Sequence, residues 1–299
     1  MSIYSLWGAL EIGLIFGLVA LGVLISFRIL RFPDLTVDGS FPLGGAVAAT
    51  LISSGSDPFV ATLFATCAGA LAGTVTGWLN VRLKIMDLLA SILMMIALYS
   101  INLRIMGRPN VPLITESTVF TVLQPEALSD YVARPLILLA LVILVKLLLD
   151  WYFATRNGLA MRATGSNPRM ARAQGVATGG MILVGMALSN ALCALAGALF
   201  AQSQGGSDIS MGIGTIVIGL AAVIVGESIM PSRRLVVITL AVIVGAVLYR
   251  FFIALALNAD FIGLKAQDLN LVTAILVTVA LVIPLMRQRL RNKKGPQGS

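Results

Sequence analysis

Two aspartates stand close together near the start of the chain, Asp34 and Asp38, in the stretch Arg31-Phe-Pro-Asp-Leu-Thr-Val-Asp-Gly-Ser-Phe-Pro-Leu-Gly-Gly45. Carboxylates between apolar runs are expensive, and in membrane proteins they mark ion, proton or substrate paths. Two readings of this stretch stay open. It is a broken helix lining a polar path, since irregular backbone at membrane depth must face protein or water. Or it is a solvated turn between two spans. Glu11, inside the first apolar run, is a further intramembrane acid; an interhelical hydrogen bond is favoured for it over substrate contact. Glu11, Asp34, Asp38 and Ser40 are the candidate pathway residues.

A second stretch is written like a short capped helix: Gly158-Leu-Ala-Met-Arg-Ala-Thr-Gly-Ser-Asn-Pro-Arg-Met-Ala-Arg-Ala-Gln-Gly-Val176. Ser166 or Asn167 suits the N-cap, where a side-chain oxygen accepts from an unpaired backbone N–H. Pro168 is tolerated at the first helical position, because its missing N–H would have had no partner there. Arg169, Met170, Ala171 and Arg172 belong to a run of good helix formers, and Gly175 suits the left-handed position after the helix. The result is about 10 Å long, too short to span a bilayer. Arg169 and Arg172 share a face. The reading is a rigid basic knob; the plainer alternative is a connecting loop.

Several chemistries are excluded. The chain has no histidine, which removes di-histidine metal sites and a Ser-His-Asp triad. It has no G-x-x-x-x-G-K-[ST] phosphate cradle, so any ATP used is hydrolysed on another chain. No arginine-rich voltage-sensing span and no T-V-G-Y-G filter occur. Cys67 and Cys193 lie in apolar runs and read as packing residues. The net charge of +8 does not point to nucleic acid, because the basic residues sit at span ends.

The elements that hold these residues are apolar runs of membrane-spanning length. Of 299 residues 58% are hydrophobic and only 11% charged, far below the roughly 25% charged of a soluble domain. The runs predict an all-α polytopic bundle of about nine spans: 6–27, 39–54, 58–79, 85–103, 134–153, 179–200, 211–230, 235–255 and 268–286. No cleavable signal is expected, since the N-terminus lacks a basic region before its first span. With the N-terminus outside, fifteen of the 21 basic residues fall in the cytoplasm. Arg104, Arg108, Arg134, Arg250 and Lys265 fall outside, and Lys146 within a span. That bias sets the orientation, with a cytoplasmic C-terminus. Residues 1–299 form one transmembrane domain, with a cytoplasmic loop over 154–178, an external loop over 104–133 and a disordered tail over 290–299. Gly69, Gly73 and Gly77, and likewise Ser189, Cys193 and Gly197, recur every four residues and predict close helix packing.

Taken in order, these motifs resemble permeases of ATP-binding-cassette importers of the ribose and branched-chain amino-acid type. Gly165, Asn167, Ala171, Gly175 and Val176 look like that family's cytoplasmic coupling segment. Asp34–Ser40 with Leu43–Ala49 looks like a conserved-type stretch and its following helix, and Asp87–Met95, Gly107–Pro109, Ala194–Ala198 and Ile218–Gly226 continue the likeness over residues 10–285. Pro168 and Arg169 replace the acids usual in the sugar branch, and Gly226-Glu-Ser-Ile-Met-Pro-Ser-Arg-Arg234 replaces a glycine-rich stretch. The look is closer to uncharacterised permeases linked with tryptophan or tyrosine uptake.

The resemblance implies a type II importer-like fold, with broken or re-entrant helices among the spans, in a bacterial cytoplasmic (inner) membrane. It implies alternating access for a small solute, an amino acid, aromatic by preference, over a sugar. It implies three partners: an ATPase subunit, an extracytoplasmic substrate-binding protein and a second permease copy as a homodimer. Membrane lipid surrounds the chain. No cofactor is expected on this chain; ATP and Mg belong to the partner ATPase. The segment Gly165, Ser166, Asn167, Pro168, Arg169, Met170, Ala171, Arg172 and Gly175 then becomes the ATPase-coupling site. The competing readings are an ion-coupled secondary transporter, using Glu11, Asp34 or Asp38, and a membrane-embedded enzyme.

Overall fold

A computed structural model of the chain describes residues 3–124, 129–257 and 278. Helix α1 (Ile3–Val23) runs into a wider π-helical segment, Leu24–Leu30, which stops at Arg31 in the left-handed conformation. Then come α2 (Val37–Ser53), α3 (Pro58–Val81) and α4 (Asp87–Met106). Strand β1 (Asn110–Pro112) and short helix α5 (Val119–Leu123) precede α6 (Asp130–Ala154). Helices α7 (Arg156–Ser166) and α8 (Pro168–Ala173) lead to α9 (Thr178–Gln204). Strand β2 (Gly206–Asp208), a 3-10 turn at Ile209–Gly212, α10 (Thr215–Ile229) and α11 (Leu235–Leu257) complete the described chain.

Among the described residues, seven helical stretches are long and apolar enough to cross a membrane: Tyr4–Leu30, Pro58–Val81, Asp87–Met106, Tyr131–Ala154, Thr178–Gln204, Ile209–Ile229 and Leu235–Leu255. The expected span at 39–54 exists as α2, but at 17 residues it is shorter than these and nearly enclosed by protein. The expected span at 268–286, the tail at 290–299 and Lys265 lie outside the described residues.

Helix α1 is the centre of the bundle, with 78% of its most apolar stretch buried. It packs on α6, α9, α10 and α11. Small residues set the close approaches. A Cβ at Gly69 or Gly73 of α3 would collide with Asn190 or Met186 of α9, and one at Gly44 or Gly197 would collide across the α2–α9 contact. Ser189 and Cys193 of α9 meet Gly22 of α1, where the Ser189 hydroxyl donates to the Gly22 carbonyl at 2.8 Å. Both glycine and small-residue stripes are therefore packing surfaces. Their partners show that α1 and α3 each run antiparallel to α9. The outer faces of α3, α4 and α6 expose Leu63, Phe64, Leu93, Leu147 and Trp151, as surfaces meeting lipid do.

Three expectations change. The stretch 154–178 is not one loop carrying one short helix. It also holds α7, whose start is capped by the Thr155 hydroxyl. Arg250, counted among the outer charges, lies within α11 and stacks on α1, with its guanidinium 4.3 Å from the Phe16 ring centre. Cation–π stacking gives the charge a partner where water is scarce. The external stretch 104–133 holds β1, which pairs antiparallel with β2 and joins α4 to the end of α9.

Candidate functional site

The capped knob is present. The Asn167 side-chain oxygen accepts from the backbone N–H groups of Arg169 (3.1 Å) and Met170 (3.0 Å), so Asn167, not Ser166, is the N-cap of α8. Pro168 opens the helix. At the other end the Val176 N–H donates to the Ala171 carbonyl and the Gly175 N–H to that of Arg172, both at 3.0 Å, with Gly175 at φ 82°. This pair of bonds is a Schellman stop, and it needs a residue at ease in the left-handed region. Every side chain from Ser166 to Gln174 is exposed except Ala171, which is buried and seats the helix. Arg169 is exposed, whereas the Arg172 Nε donates to the Thr178 hydroxyl at 3.3 Å, tying it to the start of α9.

The knob is joined to the bundle through α7. A Cβ at Gly165 would collide with the Ile29 carbonyl, so this glycine lets α7 lie directly on the π-helical end of α1. Leu30 and Met161 both approach Gly185 of α9. Helix α8 is thus continuous with α7, which packs on the ends of α1 and α9. The π-helical stretch at Leu24–Leu30 is a rare geometry that is frequently found at functional sites.

The second candidate region lies inside the bundle. After Arg31 the chain turns back, and Phe32, Asp34 and Thr36 are buried. The Asp34 carboxylate accepts from the Thr36 N–H (2.9 Å) and from the Asn190 side-chain amide (2.8 Å). The Asn190 oxygen in turn accepts from the Ser40 hydroxyl at 2.7 Å. Asn190 is twelve residues into α9, about 18 Å from its start, so Asp34 sits at membrane depth. The solvated-turn reading does not hold beyond Arg31, which is exposed: 32–36 is irregular backbone packed against protein, as membrane depth demands, and 37–45 is the start of α2.

Asp38 does something else. Its carboxylate accepts from the Ile216 N–H (2.8 Å) and the Gly214 N–H (3.3 Å), so it caps α10 from across the bundle. Helix α10 has 15 residues, about 22 Å, against a hydrocarbon core of about 30 Å. Its N-terminus meets the first turn of α2, beside the Asp34–Asn190–Ser40 cluster at membrane depth. The starts of α2 and α10 thus abut, and a carboxylate offsets the positive end of α10. Gly212 fits against the Asp38 carbonyl and the Pro42 ring with no room for a side chain.

Glu11 is apart from this centre. It accepts from the Ser203 hydroxyl at 2.6 Å, in the last turn of α9, close to the β1–β2 end of the bundle rather than at mid-depth. Asn190 and Asn102 are isolated polar residues in otherwise apolar runs of the sequence. Asn190 proves to be a hub that joins Asp34 and Ser40, while Asn102 donates its amide to the Gly39 carbonyl at 3.1 Å. An asparagine in an otherwise apolar run was the available signal. Among the described residues no cluster of acids or cysteines could hold a metal ion.

A bundle of lipid-length helices packed around α1, with the starts of α2 and α10 abutting inside it and an exposed capped knob at one end, is the architecture of a polytopic membrane permease. The chain belongs to the family described as Branched-chain amino acid transport system / permease component, which matches residues 6–285. It is 40% identical over 264 residues to a tyrosine transport system permease protein of Clostridioides difficile (strain R20291), covering 88% of this chain and 86% of that one. It is 27% identical over 263 residues to a galactofuranose transporter permease protein of Escherichia coli (strain K12), covering 85% and 72%. It is 25% identical over 263 residues to the ribose import permease protein of the same strain, covering 85% and 78%. No solved structure matches the chain. The protein is thus a multi-pass permease component of an ATP-binding-cassette type of transport system.

Proposed function

We propose that this chain carries a small amino acid, aromatic by preference, across the bacterial cytoplasmic membrane by alternating access, driven by a separate ATPase that grips Ser166–Gly175. The observation that carries this reading is the seating of α8: a short helix capped at both ends, exposed on nearly every side, and linked through Gly165 to the end of α1. A loop with no mechanical task has no need of two caps. The 40% identity to a tyrosine transport system permease favours an amino acid over a sugar, to whose permeases the likeness is lower.

In this reading Asn167, Pro168, Met170 and Gly175 shape the knob, Ala171 seats it, and Arg169 presents charge to the ATPase. Arg172 is shared between the knob and Thr178. ATP and Mg bind the partner, and this chain performs no covalent chemistry. The end bearing α8 faces the cytoplasm, with the N-terminus outside. The end bearing β1 and β2 meets the extracytoplasmic binding protein, and a second permease copy completes the unit. The ion-coupled alternative draws little from Asp34, since both of its carboxylate oxygens already have protein donors. The test is ATPase stimulation in a reconstituted complex. Arg169→Glu should lower it at least several-fold while leaving the permease folded, and full stimulation in that variant would remove α8 as the contact.

A further inference from the structure

A cavity of about 420 Å³ lies between α2, α4 and the turn before α10. That volume lies in the range of small-molecule sites. Its walls are apolar and aromatic, with Pro42, Met95, Tyr99 and Ile213 among them, and Asp38 and Asn102 lie on the same lining. Asn102 is wholly buried, and its amide N–H is spent on the Gly39 carbonyl, which fixes the amide orientation. Its side-chain oxygen is left with no donor. Buried acceptors are rarely left so, and an orphan in a cavity wall marks a group waiting for a partner. Asp38 adds a carboxylate whose two oxygens each accept one backbone N–H, with further lone pairs to offer. The wall thus pairs one acceptor-rich patch with apolar surface, at the depth where the starts of α2 and α10 meet.

We propose that this cavity is a resting site for the transported solute inside the membrane, and that it takes a small α-amino acid with an apolar or aromatic side chain. The ammonium group donates toward Asn102 and Asp38, and the side chain lies against Tyr99 and Ile213. The Asn102 oxygen is buried beneath the cavity lining, so a donor reaches it only when a lining side chain moves. A lipid acyl chain fits the apolar walls but brings no donor. A sugar brings donors all around, most of which would face carbon. The proposal rests on the amino-acid reading above and adds where, and by which atoms, the solute is held.

The test is equilibrium binding of radiolabelled L-tyrosine to the permease–ATPase complex in nanodiscs, with the binding protein omitted, beside ATP-driven uptake by the full system. Saturable binding is expected, displaced by L-tyrosine and not by the deaminated acid 3-(4-hydroxyphenyl)propionate. Asn102→Leu should weaken it at least ten-fold. Ser100→Trp should do the same by filling the cavity from an exposed position on α4 that the fold does not depend on. Uptake without saturable binding, binding indifferent to both variants, or displacement by decanoate in place of amino acids would each overturn the site. Binding that obeys these variants in a complex that takes up no amino acid would uphold the site and sink the transport reading. Absence of both uptake and binding would sink both.

Discussion

Asp34 and Asn190, 156 residues apart in sequence, are joined by a 2.8 Å hydrogen bond in the interior of the bundle. Asn190 also holds Ser40, so one amide fastens the turn before α2 and the first turn of α2 to the middle of α9. The arrangement lets a non-helical stretch exist at membrane depth, where unpaired polar groups are costly. Asn190→Leu leaves Asp34 and Ser40 each short of a partner. It should destabilise the protein by roughly 1–3 kcal/mol, seen as a fall in Tm in detergent. Asp34→Leu added to Asn190→Leu should restore part of that loss, because no buried charge then remains unpaired. A double variant whose loss equals the sum of the two singles would show that the pair is not acting as a unit.

The knob invites a sharper prediction than the sequence alone supports. The sequence assigns Arg169 and Arg172 to one basic face. In the structure Arg172 is drawn back to Thr178, while Arg169 is exposed. Arg169→Glu alone should therefore cost most of the ATPase stimulation, and Arg172→Glu should add a smaller loss. Because Arg169 lies in the exposed α8, Tm should change by little. Equal and large effects from the two single variants would place both charges against the ATPase.

Orientation can be read by thiol labelling with a reagent that does not cross membranes. Asn110 in β1 and Ser166 at the end of α7 are both exposed and lie at opposite ends of the bundle. With Cys67→Ser removing the exposed native thiol, Asn110→Cys should be labelled in intact cells. Ser166→Cys should be labelled only after the membrane is opened. The reverse pattern would invert the topology.

The β1–β2 ribbon has a pH dependence whose sign is fixed by Asp208. The Ser210 hydroxyl and backbone N–H, with Asn110 beyond them, hold the Asp208 carboxyl below the usual carboxylate range. A depressed folded pKa contributes stability that is fully present above the unfolded value, about 3.9, and lost as pH falls through the lower folded value. Hydrogen exchange at Ile209 and Leu113, which bond across the ribbon, should thus be insensitive to this group from pH 7 to 5 once corrected for intrinsic rates. It should rise only in acid below that range. Asp208→Asn should remove the acid limb, and an unchanged limb would assign it to another group.

The fold was legible where apolar runs reach span length and where small residues repeat every fourth position. Gly69, Gly73 and Gly77 could be assigned to a packed face because helix contact needs small residues at that period. The α8 caps were legible because Asn167, Pro168 and Gly175 each answer a local backbone demand. What lay beyond the sequence depends on neighbours distant in the chain. Asp38 caps α10, 176 residues away, and no local pattern announces it. Gly165 is a glycine because Ile29 lies against it, which only the tertiary fold reveals. Arg250 was counted with the outer charges, yet it stacks on Phe16 inside α11, a partner the sequence does not reveal. Helix α7 was read as loop since its glycines and arginines form no apolar stripe.

The most direct test of the whole account is uptake of radiolabelled L-tyrosine into proteoliposomes. They would hold this permease with its ATPase, and the binding protein would be supplied outside. Uptake that requires ATP inside, and that ceases when either partner is left out, is the result expected. Uptake by the permease alone on an ion or proton gradient, with no ATPase present, would contradict it.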